Sequence, residues 1–355
     1  MAGDDGNYNL TPAEIIAGLK DDPKDNLVQV NHVASFFGAG GLAVDTGQTP
    51  PVSATDPATR RLDPELNNVF DAGFDALEVW IGTSGRSGIL SGFLGQNAGD
   101  WFNLINQDLV RIGIANSDTH DRRFTRTSAR TLIASDLSAP ADLSVQAEVL
   151  AQAVLAGKAI GTNAPFLLLQ AEGDFGGQPQ VAGLRIDQEV LMPISAGSDV
   201  TLRATVSTPQ WAQVDMLEFY INNQPVRASA PGSAARYSVI PDQVIADGDI
   251  GWVSAEVIVD ATVPGGSRTD ISVTLTLDAV TQDTWIVAVA RGNDGISEPV
   301  FPVLPASLDP GSNTTLADLI DGNLGEAGTP AFAFTNPLFL DVGGDGWVAP
   351  GVLTP

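Results

Sequence analysis

The stretch RIGIANSDTH, residues 111–120, concentrates the polar chemistry of this chain: an apolar, strand-like run breaks into Asn116, Ser117, Asp118, Thr119 and His120. Alternate residues on an extended strand point to the same side, so the Asp118 carboxylate and the His120 imidazole can meet one ion. Carboxylate and imidazole together suit zinc, manganese or iron. The same D-x-H spacing also fits a strand-end turn in which Asp118 caps neighbouring amides. The only other histidine, His32, closes the apolar run NLVQVNH at 26–32. A histidine there serves either as a structural hydrogen-bonding residue or as a metal ligand. Cysteine is absent, which removes thiolate zinc sites, disulfides and cysteine nucleophiles together.

The elements that would carry these residues alternate through the first 160 positions. TPAEIIAGLK (11–20) reads as a short helix opening at Thr11, with Pro12 in the first turn and Glu14 three residues after the cap. NLVQVNH (26–32), DALEVWIG (75–82) and VRIGIANSD (110–118) read as buried strands. Helices are expected at 63–73, at DWFNLINQDL (100–109) and at LSVQAEVLAQAVLAGKAI (143–160), where Gly157 stands near the end. Strand–helix alternation is the pattern of a parallel α/β unit, in which reactive residues gather at the C-terminal ends of strands. His32, Asp118 and His120 all fall at such ends.

Past residue 165 the pattern changes. PFLLLQAEG, DVTLRATVS, VDMLEFYINN, WVSAEVIVD, ISVTLTLDA and TWIVAVARG are short strand candidates divided by Gly, Pro, Asn and Asp. Several alternate polar and apolar residues, as an antiparallel β-sandwich requires. The Gly-rich DVGGDGW (341–347) resembles a calcium loop but lacks the ligand count of an EF-hand, and a tight turn is the alternative. GTSGRSG (82–88) fits neither a nucleophile elbow nor a phosphate loop.

The formal charge of −26 argues against nucleic acid as a partner, because phosphate binding needs clustered cations. It is compatible with a saline or extracytoplasmic setting without establishing one. The basic residues are mainly arginine, with lysine only at 20, 24 and 158. No run of about 18 apolar residues occurs, so membrane insertion is not expected. MAGDDGNYNL carries neither the basic nor the apolar region of a secretory signal.

NLVQVNH, FDALEVWIG, DWFNLINQDLVRIGIANSDTH and ARTLIAS, in that order, resemble the later part of a PHP-domain metallohydrolase (polymerase and histidinol phosphatase type). Within it the chain looks like the branch named after a carbaryl hydrolase and the amide-bond-forming McbA-like proteins. AGKAIGTNAPFLLL, the β-rich region and the closing AFTNPLFLDVGGDGW extend the resemblance over nearly the whole chain. The resemblance implies that His32 is the histidine of the third motif and that Asp118 and His120 form the fourth. All three would be ligands of a divalent metal (Zn, Mn or Fe), with Asp118 and His120 in the catalytic centre. It further implies that Arg130 faces a substrate phosphate or carboxylate and that Glu78 supports the ligands from behind.

The chain departs from the family in several places. Val33 stands where proline is usual, Ala115 where glycine is usual, and no His-x-His pair precedes the QVNH motif. The expectation is therefore an α/β plus all-β protein. Residues 1–165 would form the C-terminal part of a distorted PHP-type β/α barrel, and 166–300 a β-sandwich-like domain. Residues 301–355 would be a Pro/Gly-rich tail packed on both. The expected function is metal-dependent hydrolysis of a small-molecule phosphoester, carbamate, amide or ester. An N-terminal segment or a partner chain would complete the site. The alternative expectation is a non-catalytic PHP remnant whose β-sandwich binds a glycan, a surface or a protein.

Overall fold

A computed structural model of the chain describes residues 10–21, 27–32, 44–45, 61–62, 71–81, 97–117, 129–136, 143–209, 212, 214, 216–222, 224–229, 238–240, 250–260, 268–292 and 331–349. The described part is rich in strand with few helices. The positions expected as helix at 63–70 lie outside it, as do 82–96, Asp118 and His120.

The N-terminal part is built on a βαβ unit. Strand β1 is Gln29–Val30. Two short strands, β2 (Val44–Asp45) and β3 (Arg61–Leu62), pair with each other. Strand β4 (Ala76–Ile81) then leads through helix α2 (Ala98–Asn106) to β5 (Ile112–Asn116). The strands β1, β4 and β5 form a parallel sheet in that order, as the apolar runs predicted. Helix α1 (Pro12–Lys20) opens with the expected capping box, in which Thr11 and Glu14 each bond the other's backbone N–H. Lys20 ends this helix on Asp75, whose carboxylate also accepts the Val28 N–H at 2.7 Å. Thus α1 is tied to the start of both β1 and β4.

Two larger sheets follow. Strand β6 is Arg130–Ile133, and helix α3 (Leu143–Leu155) follows it. This helix is shorter than its apolar pattern suggests. Gly157 adopts φ +73° and ends it, and Ala159 and Ile160 enter a buried strand, β7 (Ala159–Thr162), instead. The remaining strands are β8 (Phe166–Phe175), β9 (Gln178–Gly183), β10 (Leu191–Ile194), β11 (Ser198–Pro209), β12 (Met216–Ile221), β13 (Gln224–Ser229) and β14 (Ser238–Ile240). They continue with β15 (Ile250–Asp260), β16 (Arg268–Val280), β17 (Thr284–Arg291), β18 (Phe332–Thr335) and β19 (Leu338–Val342). One sheet has five strands in the order β15-β16-β11-β8-β9, all antiparallel. The other has nine: β14-β13-β12-β17-β18-β7-β6 in a row, with β19 on β17 and β10 parallel to β19.

These sheets pack face to face. Leu202, Ala204 and Val206 of β11 and Val273 and Leu275 of β16 point inward, while Thr201, Arg203 and Thr205 point away. The second face of the nine-stranded sheet is buried as well, so the sheet is the middle layer of three. On β17, Ile286, Ala288 and Ala290 face the five-stranded sheet, and Trp285, Val287 and Val289 face the βαβ unit. Burial on both faces explains why TWIVAVA reads as one continuous apolar run. β18 repeats the division, with Ala333 on one side and Phe332 and Phe334 on the other.

The core between the nine-stranded sheet and the βαβ unit is aromatic. Helix α2 buries Trp101, Phe102, Leu104 and Ile105 on one face. Phe102 lies 4.8 Å from Trp285 between ring centroids, and Trp80 lies 4.7 Å from Phe332, edge to face. The Trp285 indole donates to buried Asn106 at 2.7 Å, and the Trp101 indole donates to the Arg111 carbonyl at 2.7 Å. Gly113 admits Trp101, since a Cβ there would stand 2.7 Å from the indole ring. The opposite face of the parallel sheet packs Ala76, Ile112 and Ile114 against Val154 of α3.

The free edge of β5 is satisfied by side chains. Thr131 of β6 exchanges two hydrogen bonds with the backbone of Ala115, at 3.1 and 3.0 Å. Buried Asn336, between β18 and β19, accepts from the Gly113 N–H at 2.7 Å and donates to the Gly113 and Ala159 carbonyls at 3.1 and 2.9 Å. A hydroxyl and an amide thus replace a neighbouring strand, and every backbone group so covered would otherwise be a buried orphan.

Candidate functional site

The C-terminal ends of β1, β4 and β5 lie side by side. Register pairs Val30 with Leu77, Glu78 with Ile114, and Ile81 with Asn116, with an irregularity between Glu78 and Trp80. That irregularity has a packing consequence. Leu77, Val79 and Trp80 all enter the aromatic core, which strict two-residue alternation would forbid. Glu78 stays on the other side of the sheet, facing the ends of β1 and β5.

Glu78 is a buried carboxylate, 2% exposed, and it joins those two ends. Its Oε2 accepts the backbone N–H of His32 at 2.9 Å, and its Oε1 accepts from the Asn116 side-chain amide at 3.1 Å. The same amide reaches Asn31 Oδ1 at 3.3 Å, and Gln29 Nε2 donates to that oxygen at 2.5 Å. The two bonds to the Glu78 carboxylate are charge-assisted, the stronger class, and burial raises the cost of breaking them.

The clamp acts on the backbone of His32. This residue has φ +49°, in the left-handed region that non-glycine residues seldom occupy. Such a conformation costs about 1 kcal/mol or more and persists where its surroundings hold it. The hydrogen bond to Glu78 supplies one such restraint. The His32 side chain is 45% exposed, and its Nδ1 stands 3.6 Å from Glu78 Oε2. That separation is too long for a hydrogen bond but close enough for attraction if the imidazole is protonated. Glu78 therefore holds the His32 main chain, while the imidazole stays half-exposed beside the same carboxylate.

Arg130 begins β6 and is exposed. One of its guanidinium nitrogens donates to the Asn163 carbonyl at 2.9 Å. Because Thr131 turns its hydroxyl to Ala115 of β5, alternation puts the Arg130 side chain on the opposite face of β6, together with Leu132. Asp118 and His120 follow Asn116 by two and four residues and lie outside the described residues. Among the described residues no three His, Cys, Asp or Glu side chains form a metal-sized group. Among the described residues the imidazole at this end is that of His32, half-exposed. Glu78, with both oxygens engaged, suits positioning better than ligation.

Asn31 and Asn116 escaped the sequence reading as functional residues, although each sits inside a motif that was singled out. Their signal was adjacency: Asn31 precedes His32, and Asn116 precedes Asp118 by two. The DVGGDGW segment forms a turn with Gly343, Gly344 and Gly346 at positive φ, and Gly346 N–H donates to Asp341 Oδ2 at 3.1 Å. No described helix is long and apolar enough to cross a membrane. Compared with protein-family models, curated proteins and solved structures, the chain matches none of them.

Proposed function

We propose that this chain is a PHP-type metal-dependent hydrolase, or part of one, in which His32, Asp118 and His120 hold a divalent ion. Its N-terminal βαβ unit would then belong to a distorted β/α barrel. The observation that carries the reading is the Glu78 clamp. It joins the backbone of His32 to Asn116, so the ends of β1 and β5, on either side of β4, are tied through one carboxylate. Three protein ligands plus water is a common catalytic arrangement for zinc.

Bound there, a divalent ion would lower the pKa of a coordinated water and polarise a phosphoryl or carbonyl oxygen. The chain's own residues have separate tasks. Glu78 holds the His32 backbone, and Asn116 keeps β5 in register with that carboxylate. In this reading Arg130 would offer a planar cation to a substrate phosphate or carboxylate. The substrate class that suits these groups is a small phosphoester, or a carbamate, amide or ester.

Isothermal calorimetry with Zn²⁺ and Mn²⁺ on the wild-type chain and on Asp118→Ala tests the proposal, alongside p-nitrophenyl phosphate turnover. Saturable binding in the wild type that is lost in the variant supports it. Absence of saturable binding by the wild type refutes it.

A further inference from the structure

A second site lies away from the strand ends, in a cavity of about 410 Å³ between the β6–β7 edge of the nine-stranded sheet and the chain after β9. Its size falls within the range that accepts small ligands. The walls are apolar, from Leu132, Phe166 and Ile186, which remain 38%, 45% and 53% exposed. Register explains the opening. Leu132 pairs with Ile160, and Ile160 faces the core between the two large sheets. Leu132 shares that face but sits on the outermost strand of the row, at the open margin of the layer.

Of the polar residues lining this opening (Ser135, Lys158, Arg185 and Asp187), the sheltered cation is Lys158, one of only three lysines in a chain of net charge −26. Its side chain is 14% exposed, and Nζ donates to the Ile186 carbonyl at 3.1 Å. An ammonium has three N–H donors, so capacity remains for an anionic acceptor. Of the other charged groups, Arg185 and Asp187 hold each other at 3.1 Å. Glu189, 82% exposed, is the ion-pair partner of Lys158 at 4.0 Å, a solvent-screened contact longer than a hydrogen bond.

We infer that this cavity binds a small amphipathic anion, its apolar body against Leu132, Phe166 and Ile186 and its carboxylate on Lys158. The combination of an apolar trough, one sheltered cation and low surrounding positive charge favours a monocarboxylate over a polyanion. The inference is independent of the metal-site reading.

Displacement of 1-anilinonaphthalene-8-sulfonate by decanoate, by decanol and by decylammonium tests it on the full chain. Decanoate should displace the dye saturably, about tenfold or more tighter than decanol, through the charge-assisted bond to Lys158. Lys158→Met should remove that advantage while leaving decanol unchanged. Leu132→Glu, at an already exposed position, should weaken both ligands. Retained near-ultraviolet circular dichroism shows that each variant is folded, and Lys158→Gln replaces Lys158→Met if the latter is not. No displacement by decanoate up to about 1 mM overturns the inference. Equal binding of decanoate and decanol, or a decanoate preference that survives loss of Lys158, overturns it too.

Discussion

Replacing Asn336 by alanine should loosen the contact between the layers of this protein about as much as a large-to-small core truncation. The side chain is fully buried and makes three hydrogen bonds, to Gly113 N–H and to the Gly113 and Ala159 carbonyls. Asn336→Ala leaves one N–H orphaned and two carbonyls short of a partner. An unsatisfied buried group costs about 1–3 kcal/mol, and carbonyls with a second lone pair lie at the low end. The expected loss is about 3 kcal/mol, a large part of a typical net stability of about 5–15 kcal/mol. At about 2.1 cal/mol/K of unfolding entropy per residue over 355 residues, Tm should fall by about 4 °C. Urea unfolding followed by the fluorescence of the six tryptophans reads the change as a lower midpoint with unchanged slope. Asn336→Asp keeps the acceptor for Gly113 N–H but sets a carboxylate oxygen against two carbonyls, so it should cost at least as much. A loss below about 1 kcal/mol in both variants would refute the argument that Asn336 stands in for a strand on the edge of β5.

Other perturbations test the remaining links. Glu78→Gln should weaken metal binding about 10–100-fold by calorimetry, because an amide cannot accept from both His32 N–H and Asn116 with two equivalent oxygens. An unchanged affinity would remove Glu78 from the site. Gly161→Ala places a Cβ 2.1 Å from the Phe334 ring and 2.9 Å from Ala115, so thermal melting should report overpacking of about 1–3 kcal/mol or more. Glu14 has its pKa lowered by bonds from the Thr11 backbone and side chain. Its contribution to α1 is complete above the ordinary carboxylate range and disappears as pH falls through the depressed folded value. Amide exchange in residues 12–20 should therefore speed up on acidification, and Glu14→Gln, which removes the titrating carboxylate, should flatten that dependence. A pH-independent difference between the two proteins would contradict the capping argument.

Local chemistry was legible where its causes are local. Thr11, Pro12 and Glu14 announced α1 because a capping box needs residues only three apart. The runs ending at His32 and Asn116 announced parallel strands, and the alternation in β11 and β16 announced a one-sided antiparallel sheet. Helix α3 was overextended because the apolar Ala159 and Ile160 fit a helical face as well as a buried strand, and only the φ of Gly157 decides between them.

The sequence by itself determined residue chemistry: two histidines and no cysteine, an acidic surface, and a strand–helix–strand segment followed by many short strands. Tertiary structure decided which of these meet. β18, near the C terminus, pairs with β17 and with β7, and Asn336 reaches back to Gly113 across more than 200 residues. Pairings of that separation leave no periodic trace, since each strand needs only to be apolar on the faces it buries. The Glu78 clamp has the same origin. A glutamate inside an apolar strand reads locally as an exception to the pattern. It becomes the hinge between His32 and Asn116 once β1, β4 and β5 stand side by side, because burial compels its carboxylate to find donors on both neighbours.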